Sequence, residues 1–308
     1  MVENKLPILL LTFNRPEETF KVLDVLKKYR PKKLFIASDG FRTHIEGEEA
    51  LVNGLREKMK HFVDWDCELK VKFSDTNMGC KMAVYNSINW FFEEIDFGVI
   101  LEDDIIPNIN FFDFCYEMST LYKDEDKVFS VCGYNPLPYL KLNESYYFSK
   151  YFFSWGWATW KHKWNKIDIN FDAYNKLNDK KLKALFPLMF EYKLRRKKNN
   201  DSIKGINNSW ASPWNITHQL YNSYSIIPKL NQIKNIGFSD DFSTHTKANV
   251  IDKFFMDLNV RKVNMPIKHP KKIETKKSLI YYFIFKEIIR IMVKKNFIWS
   301  EKKIRNQQ

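Results

Sequence analysis

Glycine is scarce in this chain, with 9 in 308 residues. That excludes collagen-like and Gly-rich low-complexity architectures. No repeat with a period of 20 to 50 residues runs through it, so a solenoid or propeller is not expected. The four cysteines, Cys67, Cys80, Cys115 and Cys132, form no CxxC pair and match no zinc-site spacing. They read as reduced thiols of a cytosolic protein. No run of 18 apolar residues is free of charge, so no membrane span is expected. The first five residues, Met1 to Lys5, lack a basic stretch followed by an apolar one, so a secretory signal is not expected either.

Aromatic residues, by contrast, are abundant at 16%. The chain is long enough for one large α/β domain or two smaller ones, with rings left over to line a sugar- or base-stacking cleft. Net charge is +13, unevenly placed: 12 Lys or Arg against 3 Glu give +9 between Lys268 and Arg305. A local anionic partner fits that pattern, and a chain coated in nucleic acid does not.

Apolar runs at 7–12, 33–38 and 97–101, and the alternating run 68–73, read as strands, and Val128–Cys132 as a further one. Helical spacing or charge patterning fills 17–29, 46–63 and 81–94 between them. Strands alternating with helices predict a mostly parallel sheet covered on both faces. Beyond Gly133 the pattern loosens into a less regular lobe, with a basic helical stretch over 177–204. No linker separates the two parts. The expected layout is one domain over 1–265, made of a nucleotide-sugar-binding half (1–133) and an acceptor-side half (134–265), then a basic tail over 266–308. Within that tail 276–305 reads as an amphipathic helix.

Glu102-Asp103-Asp104 directly follows the apolar strand FGVIL. Acids there stand at the carboxyl edge of a parallel sheet, where open α/β folds bind ligands. Three adjacent carboxylates repel one another unless a cation neutralises them, and a hard divalent ion can also bridge a diphosphate. Acidic triplets also occur on plain surfaces, but a solvated run rarely follows a buried strand. Thr12 to Pro16 is either an ordinary βα turn or the place from which Arg15 reaches a diphosphate. Asp39, before Gly40, is either a turn residue or an acceptor for a base N–H. The tryptophans of Trp155 to Trp160 suit a sugar-stacking wall or a packed core. Gly237 and the small polar residues after it suit a mobile loop over a ligand. There His245 is a phosphate donor or a structural histidine.

Taken in order, FNRP (13–16), SDG (38–40), NMGC (77–80), ILEDDIIP (100–107), WGWATW (155–160), NSW (208–210), NIGF (235–238) and THT (244–246) resemble bacterial glycosyltransferases of the GT-A fold. These are related to N-acetylglucosaminyltransferase I and include hemolytic-protein-like nucleotide-diphospho-sugar transferases. The resemblance spans roughly Leu6 to Thr246. It implies a Rossmann-like sheet, a UDP-sugar donor and Mn²⁺ or Mg²⁺. Asp104 would be the metal ligand, and Glu102 and Asp103 would contact the ribose and donor sugar. Asp39 would bind the uracil edge. Thr12, Asn14, Arg15, Asn77, Gly79, Lys81, Trp157 and His245 would complete the donor site.

The family pattern places an aspartate after Ser-Trp, where inverting relatives carry the general base. This chain has Ala211 there. Either an aspartate has been replaced at 211 to stop turnover, or Asp240, Asp241 or another carboxylate serves. The expected activity is transfer of a hexosyl or N-acetylhexosaminyl group to a bacterial surface glycan (lipopolysaccharide or capsule) or a lipid-linked oligosaccharide. A non-catalytic nucleotide-sugar- or glycan-binding relative and a retaining enzyme are the alternatives. A nucleotidyltransferase would need a Gly-rich phosphate loop after strand one, which FNRP is not. The tail is expected to meet an anionic membrane, on the cytoplasmic face of the inner membrane, or else to dock on the body or in a homodimer. No nucleic-acid partner is expected.

Overall fold

The computed structural model describes residues 5–137, 140–186, 188–237, 260–261, 263 and 266–273. Its first part is a run of strand–helix units: β1 (Ile8–Thr12), α1 (Pro16–Tyr29), β2 (Lys33–Ser38), α2 (Glu48–Phe62), β3 (Glu68–Phe73), α3 (Gly79–Glu94) and β4 (Phe97–Glu102). Pro16 opens α1, where its missing N–H costs nothing. Glu17 and Glu18 in the first turn and Lys27 and Lys28 in the last complement the helix dipole. The four strands are mutually parallel in the order β3-β2-β1-β4, the order of a Rossmann half.

The chain then forms β5 (Ile105–Pro107), α4 (Asn110–Leu121), β6 (Val128–Cys132), β7 (Tyr146–Ser149) and β8 (Trp157–Trp160). Five helices follow: α5 (Lys161–Trp164), α6 (Asp172–Asn175), α7 (Asp179–Ala184), α8 (Met189–Ile203) and α9 (Ala211–Leu220). β9 (Tyr224–Pro228) and β10 (Ile233–Asn235) come last. β8 lies antiparallel between β4 and β6, β9 is parallel to β6, and β7 is antiparallel to β9. Strands from both sides of Gly133 therefore share one eight-stranded sheet. The expected mostly parallel α/β sheet flanked by helices is present. Two strands fall outside it, since β5 and β10 make a separate antiparallel pair.

Pleating sorts the central strands. Ile8, Leu10, Leu34, Ile36, Val99 and Leu101 join one apolar cluster with α1, α2 and α4. Their neighbours Leu9, Leu11, Phe35, Ala37 and Ile100 join another with α3 and α9. Parallel strands buried on both faces read as unbroken apolar runs, which is why these were legible. β8 was not, because its tryptophans also suit a ligand wall. The stretch read as one basic helical region, 177–204, holds α7 and α8 as separate helices, α7 capped by Asn178, whose side chain accepts from the Lys181 N–H. The expected tail helix, 276–305, lies outside the described residues.

The second cluster is built on rings. Trp214 is fully buried, 5.1 Å from Trp164, 6.1 Å from Trp157 and 5.9 Å from Phe129 between centroids, and its indole donates to Ser130 Oγ at 3.1 Å. His218 sits beside it between Ser130 and Ser223, and burial lowers its pKa to about 3, so it stays neutral. Truncating Trp214 removes both the packing and the indole hydrogen bond. Trp214→Ala is expected to lower unfolding free energy by about 3–5 kcal/mol, read from urea titration by circular dichroism.

Candidate functional site

β4 ends on Glu102, and Asp103 and Asp104 form the turn into β5. Alternation at a strand end sends consecutive side chains different ways, and the three carboxylates find three different donors. The Phe13 N–H, in the turn after β1, donates to Asp103 Oδ2 at 3.1 Å. Arg15 Nη1 donates to Asp104 Oδ2 at 2.6 Å, in a pair whose side chains are 21% and 16% exposed. The Trp210 side chain donates to Glu102. The turn after β1, the end of β4 and the start of α9 therefore meet at the carboxyl edge of the parallel strands.

β10 roofs this corner. It pairs with β5, and the Ile236 N–H donates to the Asp104 carbonyl at 2.9 Å. Gly237 then passes so close to the acid that a Cβ on it would lie 1.9 Å from Asp104 Oδ2 and 2.8 Å from Arg15 Nη1. A side chain there would force the Asp104 carboxylate or the Arg15 guanidinium to move aside.

Burial is the largest cause raising the Glu102 and Asp103 carboxyls well above the ordinary carboxylate range, with Asp104 adding repulsion. Asp104 is raised by burial too, and Arg15 opposes the rise. Such crowding suits an added cation. Among the described residues no group of three or more His, Cys, Asp or Glu side chains converges as a metal cage. The donor set fits instead an ion held by one carboxylate and completed by substrate phosphates and waters, the usual habit of Mg²⁺.

Asp39 has a different setting from the one expected. Its Oδ1 accepts from the Gly40 and Met78 N–H groups, and its Oδ2 from the Gly79 N–H and Asn77 Nδ2, all at 2.9–3.1 Å. A carboxylate has about four acceptor sites, so Asp39 ties β2 to the start of α3 and has little left for a base edge. Arg56 braces the same turn through the Ser38, Asp39 and Ser74 carbonyls.

Three further residues also hold structure. Thr12 Oγ1 donates to the Ala37 carbonyl, Asn14 Nδ2 to Glu48 Oε1, and the Lys81 ammonium sits 4.7 Å from the Phe171 ring centroid. Trp157 is 1% exposed, with the rings of Phe152, Trp164, Trp210 and Trp214 around it. It is core, because those rings leave no open face for a sugar. Ala211 begins α9 directly after Trp210, so position 211 borders the site. Asp240, Asp241 and His245 lie outside the described residues.

Arg42, Glu48 and Arg56 were not singled out by the sequence, and Trp210 entered only as part of the NSW motif, with no role of its own. The Ser-Trp pair was a usable signal for Trp210. Glu48, bound by Arg42 and Asn14, lies in a charged helix start that looks like any other.

No family model matches the chain, and no curated protein does. Among solved structures, it is similar to HddC from Yersinia pseudotuberculosis, at 7% identity and a TM-score of 0.30, over 51% of this chain and 77% of that one. It is similar to the inositol-1-phosphate CTP transferase from T. maritima at 11% identity and a TM-score of 0.33, over 54% of this chain and 74% of that one. The glycosyltransferase GlyE in Streptococcus pneumoniae TIGR4 gives 9% identity and a TM-score of 0.33, over 82% of this chain and 59% of that one. Likeness this distant carries no function across.

Two outcomes are expected of this corner. Gly237→Ala forces Asp104 or the β10 end to move and should cost about 1–3 kcal/mol, seen as a lower melting temperature. The raised carboxyls hold protons more tightly folded than unfolded, so their stabilising contribution is present at low pH and lost as pH rises through their raised values. Cation-free protein is therefore expected to lose stability between about pH 5 and pH 8. Added Mn²⁺ or Mg²⁺ should restore more at the alkaline end, since binding releases protons. Urea midpoints across pH, with and without the ion, check both.

Proposed function

We propose that this chain is an inverting glycosyltransferase that moves a hexosyl or N-acetylhexosaminyl group from a UDP-sugar to a hydroxyl of a bacterial surface glycan or lipid-linked oligosaccharide. The observation that carries the reading is Asp104, set with Arg15 under Gly237 at the end of a buried parallel strand. The ordered succession of motifs from FNRP to THT supports it.

Arg15 supplies a guanidinium able to leave Asp104 and take diphosphate oxygens in a two-pronged hydrogen bond. Asp104 would hold Mn²⁺ or Mg²⁺, which when bound would neutralise the departing diphosphate. Glu102, held by the Trp210 indole, and Asp103, held by the Phe13 N–H, orient toward the ribose and donor sugar. Inversion needs a carboxylate to take the acceptor proton, and Ala211 cannot do so; Asp240 and Asp241 are the remaining candidates. The missing acid at 211 also favours a second reading, a nucleotide-sugar-binding relative without turnover.

We place the protein at the cytoplasmic face of a membrane, where lipid-linked acceptors are presented. No helix among the described residues is long and apolar enough to cross one.

A thermal-shift panel of UDP-sugars with Mn²⁺ tests the donor. A matching sugar at 100 times its Kd adds about 2.7 kcal/mol of stability. Asp104→Asn should abolish the metal-dependent part of the shift, and a shift indifferent to both metal and Asp104 would refute the site. Ala211→Asp is expected to raise transfer by about 10²- to 10⁴-fold if the base has been lost at that position. An unchanged rate in a radiolabelled-sugar assay would move the base to another carboxylate.

A further inference from the structure

α8 is built inside out. Its buried face is mostly polar: Glu191, Arg195, Asn199 and Ser202 lie there, with Tyr192 packed against Leu182 and Phe186. The Tyr151 hydroxyl donates to Glu191, the Arg195 guanidinium lies 3.9 Å from the Tyr151 ring centroid, Asn199 donates to Gln219 at 2.7 Å, and Ser202 to Ser212 at 3.0 Å. Apolar side chains face outward instead. Leu188, Met189 and Phe190 at its start are 43%, 58% and 53% exposed, Leu194 is 39% exposed and Ile206, just beyond its end, is 73% exposed.

Cations share this outer face. Lys193, Arg196, Lys197 and Lys204 recur at helical spacing and are exposed. With Lys183 of α7 they line an open cleft of about 610 Å³ whose only carboxylates among the described residues are Asp179 and Asp201. Asp179 is already paired with Lys183 and Arg196. The remaining lysines have no ion-pair partner among the described residues.

We propose that the outer face of α8 is a docking surface for an anionic lipid bilayer, the lysines meeting headgroups while Leu188, Met189 and Leu194 enter the interface. A soluble anion would need only the charges. The apolar side chains beside them call for a partner that is anionic at its surface and greasy beneath. The chain's own tail, with a net +9 between Lys268 and Arg305, sets like charge against like and is disfavoured as a cover. This surface is separate from the Asp104 corner, and the proposal stands without the transferase reading.

Flotation of the full chain on vesicles of phosphatidylcholine, with and without phosphatidylglycerol, tests it. The unaltered protein should float with the anionic vesicles only. Lys193→Glu/Lys197→Glu/Lys204→Glu should lower partitioning at least about tenfold, from the contribution each basic residue makes at such a surface. Leu188→Ser/Met189→Ser should weaken it severalfold at unchanged charge. Circular dichroism melting of each variant verifies that it folds. Unchanged flotation of either variant would overturn the proposal, since the tail or charge alone would then suffice. So would failure of the unaltered protein to float with the anionic vesicles.

Discussion

The architecture of the candidate site turns on keeping three negative side chains apart at the end of one hydrophobic strand. Adjacent carboxylates in a buried setting repel strongly, and each further acid raises the cost of ionising the others. The fold meets this by dispersal. Asp103 is taken by a backbone N–H after β1, Asp104 by Arg15, and Glu102 by the Trp210 indole just ahead of α9. Much else follows from those three attachments. The turn after β1 must lie against β4, α9 must begin beside it, and the segment leaving β10 carries a glycine where it crosses Asp104, so that the acid keeps its place beside Arg15.

Arg15 has a particular place in this scheme. Among the described residues it is the cation paired with Asp104. A guanidinium is always charged and matches both carboxylate and phosphate geometry. One side chain can therefore neutralise the acid at rest and face a diphosphate when one is bound. A lysine would carry the charge without the fork that serves both partners.

How legible this was in the sequence depended on which physics dominated locally. β1, β2 and β4 could be read because both faces of each are buried, leaving unbroken apolar runs. The acid corner could be read because charge directly after such a run is unusual. Asp39 was located correctly but its hydrogen bonds were not foreseen: the Met78 and Gly79 N–H groups reach it from about forty residues away, and no local pattern encodes that. Trp157 could not be assigned either, since an aromatic cluster looks the same whether it lines a cleft or fills a core. α8 was legible as helix, but not which face it buries. Glu191, Arg195, Asn199 and Ser202 lie inward while Lys193, Arg196 and Lys197 lie outward, so polarity alone does not mark its buried face.

The shared sheet also limits how this molecule can move. β8 is hydrogen-bonded to β4 on one side and β6 on the other, so the two halves are stitched edge to edge through the middle of the protein. A clamshell motion would have to tear a buried ladder. A ligand at the Asp104 corner would therefore have to enter without the two halves parting, across a floor fixed by its own ladder.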